Sequence, residues 1–446
     1  MLRLRTTRSP SQQRKQTPKV QILHETAAAP DGVKQTGEAP SAADAPATAS
    51  ASASRGWTAA SLWVQSPQWD VFWLLSGLWA PLLILFLYWG LSHSTTNATD
   101  SIEFTATVTG VAVLYFPLAL LHRISTTYAV LGTPILREEL RKEPRHYLHI
   151  PLLIVVGSIG LSLCAVFDSM YAFMPGDRGQ LWAFFVLAYV MILWEAWHFC
   201  AQEFGVLSIY RIRAEQFDKA DKRFDRTFTV VLMLGVNGLL YLRFGFSDHC
   251  QVLLYGTPLQ GCQAGFLTPL GDLAFAAGTL LLGYALLREW RHPHRSLPKL
   301  VYYALVGGHS IFLYFLPQAL GVFFLTNVVH HWMVAVALFG RVLHRSTTGA
   351  PLATRIASAL KPLAWLALAT LFYLFFGSLE KAGNLAPVPP PNWFQGSSVP
   401  AKLLAGLVIG IFFSLNFLHY YYDRCLYRFS HPAIRAKVGP LLLERR

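Results

Sequence analysis

Histidine and polar side chains recur inside apolar stretches of this sequence, and they are of the types that bind transition metals. The imidazoles are His122, His198, His309, His330, His331 and His419, and the polar groups among them are Glu195, Asn327 and Asp423. Ionisable groups cost several kcal/mol in a lipid bilayer, so a chain that places this many there has a use for them. We therefore expect these nine residues to be candidate ligands of one or two transition-metal ions.

Two sets of these residues follow the spacing of one helix face. Glu195, His198 and Gln202 stand at i, i+3 and i+7, so they line one stripe of a helix. His419 and Asp423 stand at i and i+4, where both could be ligands or the carboxylate could orient the imidazole. The structural alternatives are a polar stripe packed against another helix and an interfacial tyrosine belt in which Asp423 pairs with an arginine.

A third set places an amide one helical turn before two adjacent imidazoles, in the order Asn327-Val-Val-His330-His331. This pattern resembles the last histidine box of the integral-membrane di-iron desaturases and hydroxylases, whose other two boxes are absent from the sequence. The resemblance implies that His330 and His331 are iron ligands and that Asn327 is a ligand or supports one. We predict His330, His331 and Glu195 as the catalytic residues.

The composition is that of a membrane protein. Hydrophobic residues make up 53% of the 446 positions and charged residues only 14%, whereas a soluble domain has about 25% charged residues. The net charge of +13 has a simple cause in such a protein, because basic residues collect on the cytoplasmic side. We therefore expect no nucleic-acid partner.

The apolar runs are long enough for helices that cross the roughly 30 Å of bilayer hydrocarbon. They predict an all-α, polytopic membrane protein with about ten transmembrane helices, at 70–91, 105–122, 148–170, 182–208, 227–246, 267–287, 299–316, 318–342, 361–379 and 401–423. The seventh and eighth runs are separated by little more than Pro317, which predicts a tight hairpin. Within the tenth, Gly406 and Gly410 form a small-xxx-small pattern that predicts close helix packing.

Basic residues supply an independent test of this alternation. Of the 37 Lys and Arg residues, 33 fall on the side shared by the two termini, and Arg178, Arg243, Lys381 and Lys402 fall on the other. The positive-inside rule then places both termini in the cytoplasm. The candidate ligands lie in the cytoplasmic half, and we expect a multi-pass protein of the bacterial inner (plasma) membrane.

The chain divides into three predicted regions. Residues 1–68 are basic and then Ala/Ser/Pro-rich, which predicts a disordered cytoplasmic tail. Residues 69–430 form the ten-helix transmembrane domain, and 431–446 form a short basic cytoplasmic tail. Cys250 and Cys262 share one predicted outside loop, where they could form a disulfide or remain thiols.

The leading functional hypothesis is a membrane-bound, metal-dependent oxidoreductase, with non-haem iron as the metal. Its substrate would be a lipid, fatty acyl or isoprenoid chain that enters from the bilayer. The sequence contains no glycine-rich nucleotide-binding loop, so an electron-donor protein or a quinone would supply reducing equivalents.

Three other classes fit parts of the pattern. A haem protein could use two facing histidines such as His198 and His330 as axial ligands. A metal-free acyltransferase could use His330 or His331 as a general base beside Asn327. A proton- or cation-coupled transporter could use buried Glu195 and Asp423, although the sequence shows no internal repeat.

Overall fold

The computed structural model describes residues 59–84, 121–133, 135–167, 179–246, 267–315, 320–346, 398–427 and 431–443, and the single positions 86, 118 and 429. These residues form helices and connecting turns, with no strand among them. The α-helices are α1 (Pro67–Trp73), α2 (80–84), α3 (121–127), α4 (Arg137–Lys142), α5 (Ile150–Val166), α6 (Gly179–Arg213), α7 (Lys219–Thr229), α8 (Asn237–Phe246), α9 (Leu267–Arg291), α10 (Leu297–Phe315), α11 (Leu320–Ser346), α12 (Val399–Leu426) and α13 (Pro432–Leu443). Short π-helical turns at Tyr128–Gly132, Arg145–His149 and Val230–Val236 join several of them. The all-α prediction is therefore confirmed for the described residues.

Three helical stretches are long and apolar enough to cross a membrane, as judged by length and composition. They are Arg145–Val166, Leu267–Arg291 and Val399–Leu426. Large apolar side chains on two of them face outward, with Leu153 70% and Leu280 75% exposed. Such surfaces suit contact with lipid tails, since water would not tolerate long apolar faces of this kind.

Most of the predicted runs that fall within the described residues correspond to helices. The fourth is contained in α6, the sixth in α9 and the tenth in α12, while the seventh and eighth match α10 and α11 to within a few residues. The ninth run (361–379), the Pro317 hairpin and both cysteines of the predicted outside loop lie outside the described residues. Of the second run, only positions 118, 121 and 122 are described.

The first predicted run, 70–91, is not one continuous helix. α1 ends at Trp73, and a 3-10 turn at Ser76–Leu78 separates it from α2. Gly77 allows this turn to sit against α10, because a Cβ there would stand 2.8 Å from Leu305 Cδ1 and 3.2 Å from His309 Cε1. Ser76 and Gly77 of this turn are buried in the protein, whereas Leu78 is exposed.

Helices α5 and α12 pack closely through the predicted glycine pair. A Cβ at Gly410 would stand 2.6 Å from Ile159 Cα, and one at Gly406 would stand 2.7 Å from Leu163 Cδ2. Side chains larger than hydrogen at these two positions would push the helices apart. The small-xxx-small prediction is confirmed.

One end of the bundle is held by a buried ion network between four helix ends. Lys299 at the start of α10 lies 3.1 Å from Asp225 in α7 and 3.3 Å from Glu289 at the end of α9. Arg211 at the end of α6 lies 3.3 Å from Asp225, and Gln216 bridges Lys299 and Glu289. The charges balance and each carboxylate has several donors, as buried ion pairs require.

At other helix ends, a second polar group joins α8, α9 and α10. Arg243 at the end of α8 pairs with Asp272 at the start of α9. The hydroxyl of Tyr314, near the end of α10, donates to the same carboxylate at 2.6 Å. These contacts place the three helix ends together.

Packed structure is present in the described part of each predicted tail, at residues 59–68 and 431–443. Leu62 and Val64 are buried, and the carboxylate of Asp70 accepts the backbone N–H groups of Val64 (2.8 Å) and Gln65 (3.1 Å). This capping orders the segment before residue 68, because it satisfies backbone donors that would otherwise need water. Residues 1–58 lie outside the described residues.

The C-terminal segment is a helix rather than a tail. The side chains of Val438 and Leu442 in α13 are fully buried in the main core. Lys437 reaches Glu138 at 2.8 Å and Glu139 at 2.9 Å in α4. Hydrogen bonds from Lys142 and Lys437 lower the pKa of Glu138 to about 2. This helix therefore packs buried apolar side chains into the core while Lys437 reaches α4.

Candidate metal centre

Four helices bring one imidazole each to a single point inside the protein. The residues are His122 on α3, His198 on α6, His331 on α11 and His419 on α12, and one ligand atom from each lies within 4.8 Å of all the others. All four side chains are buried. We call them the four-His group; a group of this kind could hold a metal ion.

The closest pair in the four-His group has the spacing of adjacent ligands on one ion. The Nε2 atoms of His198 and His419 lie 3.0 Å apart. Two nitrogens about 2.1 Å from a metal and about 90° apart around it would be separated by about 3.0 Å. Two rings that each carried a proton on the facing atom would clash at this distance, so at least one of the two nitrogens presents a lone pair.

A carboxylate faces the same pair of nitrogens. Asp423 Oδ2 lies 3.4 Å from His198 Nε2 and 3.6 Å from His419 Nε2, while its Oδ1 has no hydrogen-bond partner in the described part of the chain. Both residues of the predicted His419/Asp423 stripe therefore lie at the site. Asp423 stands where it could be a fifth ligand or could balance the charge of a bound cation.

A hydroxyl that the sequence analysis did not single out orients one of the rings. Thr126 Oγ1 lies 3.0 Å from His419 Nδ1, on the side of the ring opposite His198. Thr126 follows His122 by four residues on α3, so one helix supplies both a ring and a support for another ring. The i, i+4 spacing of His122 and Thr126 could have indicated this role, because it puts the hydroxyl on the same helix face as a candidate ligand.

Within the described residues, the ring of His331 lacks the hydroxyl partner that Thr126 gives to His419. Neither ring nitrogen has a hydrogen-bond partner in the described residues, although the side chain is buried. Phe199 stacks on the ring with centroids 4.1 Å apart. Gln202 donates to the backbone carbonyl of His331 at 2.8 Å, so it supports α11 and does not point at the site. A buried imidazole without a partner is costly, and a metal ion would supply the missing one.

The adjacent His330 faces a different set of residues. Its Nδ1 lies 2.9 Å from the Ser76 hydroxyl and accepts the N–H of Gly77 at 3.2 Å, while its Nε2 lies 3.7 Å from Glu203 Oε1. The hydroxyl of Tyr302 donates to the other oxygen of Glu203. Successive helical residues point about 100° apart, so two neighbouring histidines cannot both face one ion easily. The expectation that they form one ligand pair is not met.

The remaining candidates also lie outside the four-His group. His309 lies against Gly77 and Asn327, on the same side of α11 as His330. Glu195 is half-buried on α6, one turn before His198, with Arg123 and Tyr420 as its charged and polar neighbours. Of the nine predicted ligands, the structure gathers His122, His198, His331, His419 and Asp423.

The sequence analysis missed Glu203, Ser76 and Tyr302. Glu203 could have been found, because an acidic residue inside a predicted transmembrane span is a candidate functional residue.

The geometry does not fit a haem at this point. Iron in a bis-histidine haem lies in a macrocycle that occupies the whole plane between two axial rings. Here the ring centroids of His122 and His419 are 3.9 Å apart and those of His198 and His331 are 4.8 Å apart, so other imidazoles fill that plane. The proposed axial pair also fails, since both ring nitrogens of His330 face other residues.

An apolar cavity approaches the site from the side of α5. It has a volume of about 240 Å³ and lies between α5, α6 and α12, with Gly157, Leu187, Trp194 and Phe417 among its walls. Trp194 stacks on Phe417 (5.6 Å between centroids) and stands 6.0 Å from Tyr420. Tyr420 in turn stands 4.8 Å from the His198 ring. A chain of aromatic contacts therefore joins the cavity to the four-His group.

The fit of a metal ion follows from the donor set alone. Four neutral imidazoles and one carboxylate suit a divalent transition metal, and orphaned ring nitrogens mark where it would bind. Comparisons with protein-family models, with curated proteins and with solved structures find no match to this chain.

Proposed function

We propose that this chain is a multi-pass membrane oxidoreductase that uses a non-haem metal ion, best fitted by iron, to oxidise a lipophilic substrate. The observation that carries the proposal is the four-His group, with Asp423 against two of its rings. A bound iron ion would supply the activation of O₂ for attack on an unactivated carbon chain.

The contacts between helix ends support the predicted topology. Arg211, Glu289 and Lys299 stand at predicted cytoplasmic ends, and the buried ion network brings them together. Arg243 and Asp272 stand at predicted outer ends and pair with each other. A wrong span order would separate such groups by the thickness of the bilayer. We infer about ten spans, with both termini in the cytoplasm and the plasma membrane as location.

Iron is proposed from the kinds of donor atom and from the chemistry that the substrate would need. Four imidazoles with a carboxylate beside them exceed the four ligands of a closed structural zinc site and suit an octahedral ion with an open position.

Each residue of the site has a proposed task that does not depend on the metal's identity. The four imidazoles would hold the ion, and Asp423 would balance its charge. Thr126 fixes which nitrogen of His419 faces the ion. Glu203 and His330 form a polar pair behind the site that could hold a proton at His330 Nε2. Glu195 remains a predicted catalytic residue, one helical turn from His198.

The apolar cavity supports a substrate with an unfunctionalised chain. Its lining is almost wholly hydrocarbon, with Ser158 as the hydroxyl-bearing residue among the walls. A lipid, fatty acyl or isoprenoid chain could enter from the bilayer between α5 and α6. Trp194 and Phe417 would then guide it toward the four-His group. O₂ would be the oxidant, and a reduced donor protein or a quinol would supply the electrons that the substrate does not.

The metal content of the purified full-length chain tests the proposal. We expect about one equivalent of transition metal, chiefly iron, which His331→Asn reduces at least about fivefold. His330→Asn is the matched control, since it changes the neighbouring residue on the same helix and keeps an acceptor for Gly77. It should retain the metal. Either a substoichiometric wild-type protein or loss of metal from both variants alike would overturn the assignment.

The substrate class is tested by extracting lipids from cells that express the wild-type chain or His331→Asn. An oxidised lipophilic compound should appear with the wild type and depend on O₂, because only the wild type would hold the ion. Identical lipid extracts from the two cultures, with metal present in the wild-type protein, would refute oxidation and leave the metal centre standing. A Soret band in the purified protein would instead identify a haem protein.

A further inference from the structure

A second cavity, of about 880 Å³, lies along the end of α11, the helix that carries His331. Its walls on this helix extend from Val336, five residues after His331, to Arg345. At 1.5 Å per residue, Val336 is about 7.5 Å from His331 along the helix axis. The cavity therefore begins close to the turn that holds a ligand of the four-His group and continues to the predicted cytoplasmic end of α11.

Aromatic rings form much of the opposite wall, namely those of Trp63, Trp69 and Trp73. Trp73 also packs against an apolar cluster that contains Val329 and Met333. These two residues stand on either side of the His330–His331 pair along α11. An aromatic surface thus connects the cavity with the part of α11 that reaches the four-His group.

This wall offers hydrogen-bond donors without acceptors. Among the described residues, the indole N–H groups of the three wall tryptophans have no hydrogen-bond partner, although Trp63 is only 8% exposed. The side-chain oxygen of Gln65 accepts from Arg341 at 3.2 Å, which leaves its amide nitrogen as a further donor in the cavity wall. Buried indole N–H groups usually have a partner, so a ligand with acceptor oxygens would complete this site.

The ligand of this cavity need not be an anion. The Asp70 carboxylate interacts electrostatically with Arg213 and Arg341, which offsets part of the positive charge of the walls. At the far end of the cavity His344 is exposed, so water reaches that end. A neutral molecule with an aromatic face and polar acceptor atoms fits these surroundings.

We propose that this cavity binds the head group of a membrane quinol that donates electrons to the four-His group, an inference that rests on the proposed function. The quinone form is planar and has two carbonyl oxygens, so it matches indole faces and their unpaired N–H groups. Its isoprenoid tail would lie in the bilayer beside the tryptophans, which favour the membrane interface. The volume of about 880 Å³ is sufficient for the ring and the first part of the tail.

The electron balance of the proposed reaction requires such a donor. Oxidation of the quinol to the quinone breaks its two O–H bonds and releases two electrons and two protons. The electrons pass toward the four-His group, and the protons leave to water at the His344 end, while two protons are taken up where O₂ is reduced. In a hydroxylation, one C–H bond, one O₂ and one quinol become one C–OH group, one water and one quinone.

Binding of decylubiquinone to the full-length protein, purified in detergent, tests the site. Native mass spectrometry and the melting temperature should show saturable binding of the quinone. Gly340→Leu should weaken this binding at least about tenfold, because Gly340 lines the cavity and a Cβ there meets nothing within 4 Å, so the new side chain fills the space without a clash. Gly283→Leu is the matched control, since a Cβ there also meets nothing within 4 Å and the residue is not in the cavity wall. It should bind the quinone as the wild type does.

A second pair of variants tests the unpaired donors. Trp63→Phe keeps an aromatic ring and removes the indole N–H, so it should weaken quinone binding about threefold or more. Trp290→Phe changes an exposed tryptophan of α9 outside the cavity and should leave binding unchanged. Helicity measured by circular dichroism reports on folding in every variant.

Electron donation is measured separately from binding. Decylubiquinol added without O₂ should reduce ferric iron in the wild-type protein, and Gly340→Leu should slow this reduction at least about tenfold. Quinone binding by a protein that holds no metal would refute the metal centre and leave the cavity assignment standing. The quinol site is overturned if decylubiquinone does not saturate, if flavin mononucleotide binds in its place, or if Gly283→Leu weakens binding as much as Gly340→Leu.

Discussion

The imidazoles of the four-His group differ in what faces their ring nitrogens. His419 has Thr126 on one side and His198 on the other, so its ligand atom is Nε2. His331 has no such support in the described residues, and Phe199 holds its ring by stacking instead. A metal bound here would therefore be held by rings that differ in rigidity, and the supported ring should matter most for affinity.

Removing the hydroxyl behind His419 should weaken metal binding without removing a ligand. We expect Thr126→Val to lower metal affinity about tenfold or more, because the ring loses the hydrogen bond that orients it. Titration with a competing chelator measures the change. Thr127→Val is the matched control, since the neighbouring hydroxyl has no hydrogen-bond partner in the described residues. Equal losses in the two variants would contradict the positioning role of Thr126.

At the scale of helices, glycines decide how closely the elements approach. Gly410 and Gly406 let α12 contact α5 through backbone atoms, which brings His419 and Asp423 alongside α6. Gly77 has the same effect in the turn before α2, where it lets Ser76 reach His330. By contrast, Gly157 and Gly160 on α5 face open space, where a Cβ would meet nothing within 4 Å.

The two open glycines of α5 provide a test of the substrate route. Gly157 lines the apolar cavity and Gly160 does not. Gly157→Leu should fill the cavity and reduce the lipophilic oxidation product at least about tenfold, because the chain could no longer reach Trp194. Gly160→Leu should leave the product unchanged, and metal content should be unchanged in both variants. An undiminished product with Gly157→Leu would show that the substrate enters by another path.

At the scale of the whole molecule, charge asymmetry and helix-end contacts describe the same arrangement. The ion network joins α7 to the basic ends of α6, α9 and α10. The basic end of α11 contacts α13 through Arg341. The Arg243–Asp272 pair joins the end of α8 to the start of α9, the opposite end of α9 from Glu289. In the proposed orientation, the apolar cavity between α5, α6 and α12 would take hydrocarbon chains from the bilayer.

Cysteine labelling tests this orientation directly. In a chain whose five cysteines are replaced, Ala401→Cys should react with a membrane-impermeant maleimide in intact cells. Lys222→Cys, on the exposed face of α7, should react only after permeabilisation, because the positive-inside rule puts it in the cytoplasm. Labelling of both variants in permeabilised cells is the control. Labelling of Lys222→Cys in intact cells would reverse or break the predicted topology.

The predicted fold held where local pattern is strong. Long apolar runs form α9, α10, α11 and α12, because a helix whose whole surface contacts protein or lipid is apolar on all sides. Local pattern did not indicate the packing of Leu62 and of α13, because it depends on contacts with distant parts of the chain. The break after Trp73 was also unpredictable, since it is stabilised by residues far along the chain, His309 and His330.

The sequence by itself determined the residue types of the candidate site and their helical spacing, and it predicted the side of the membrane on which their helices end. Composition and periodicity carry that information because they depend on each helix alone. Only the tertiary structure decided that His331 faces the four-His group while His330 faces Ser76 and Glu203. Adjacent residues point in different directions on a helix, and the direction that meets a partner depends on how neighbouring helices pack.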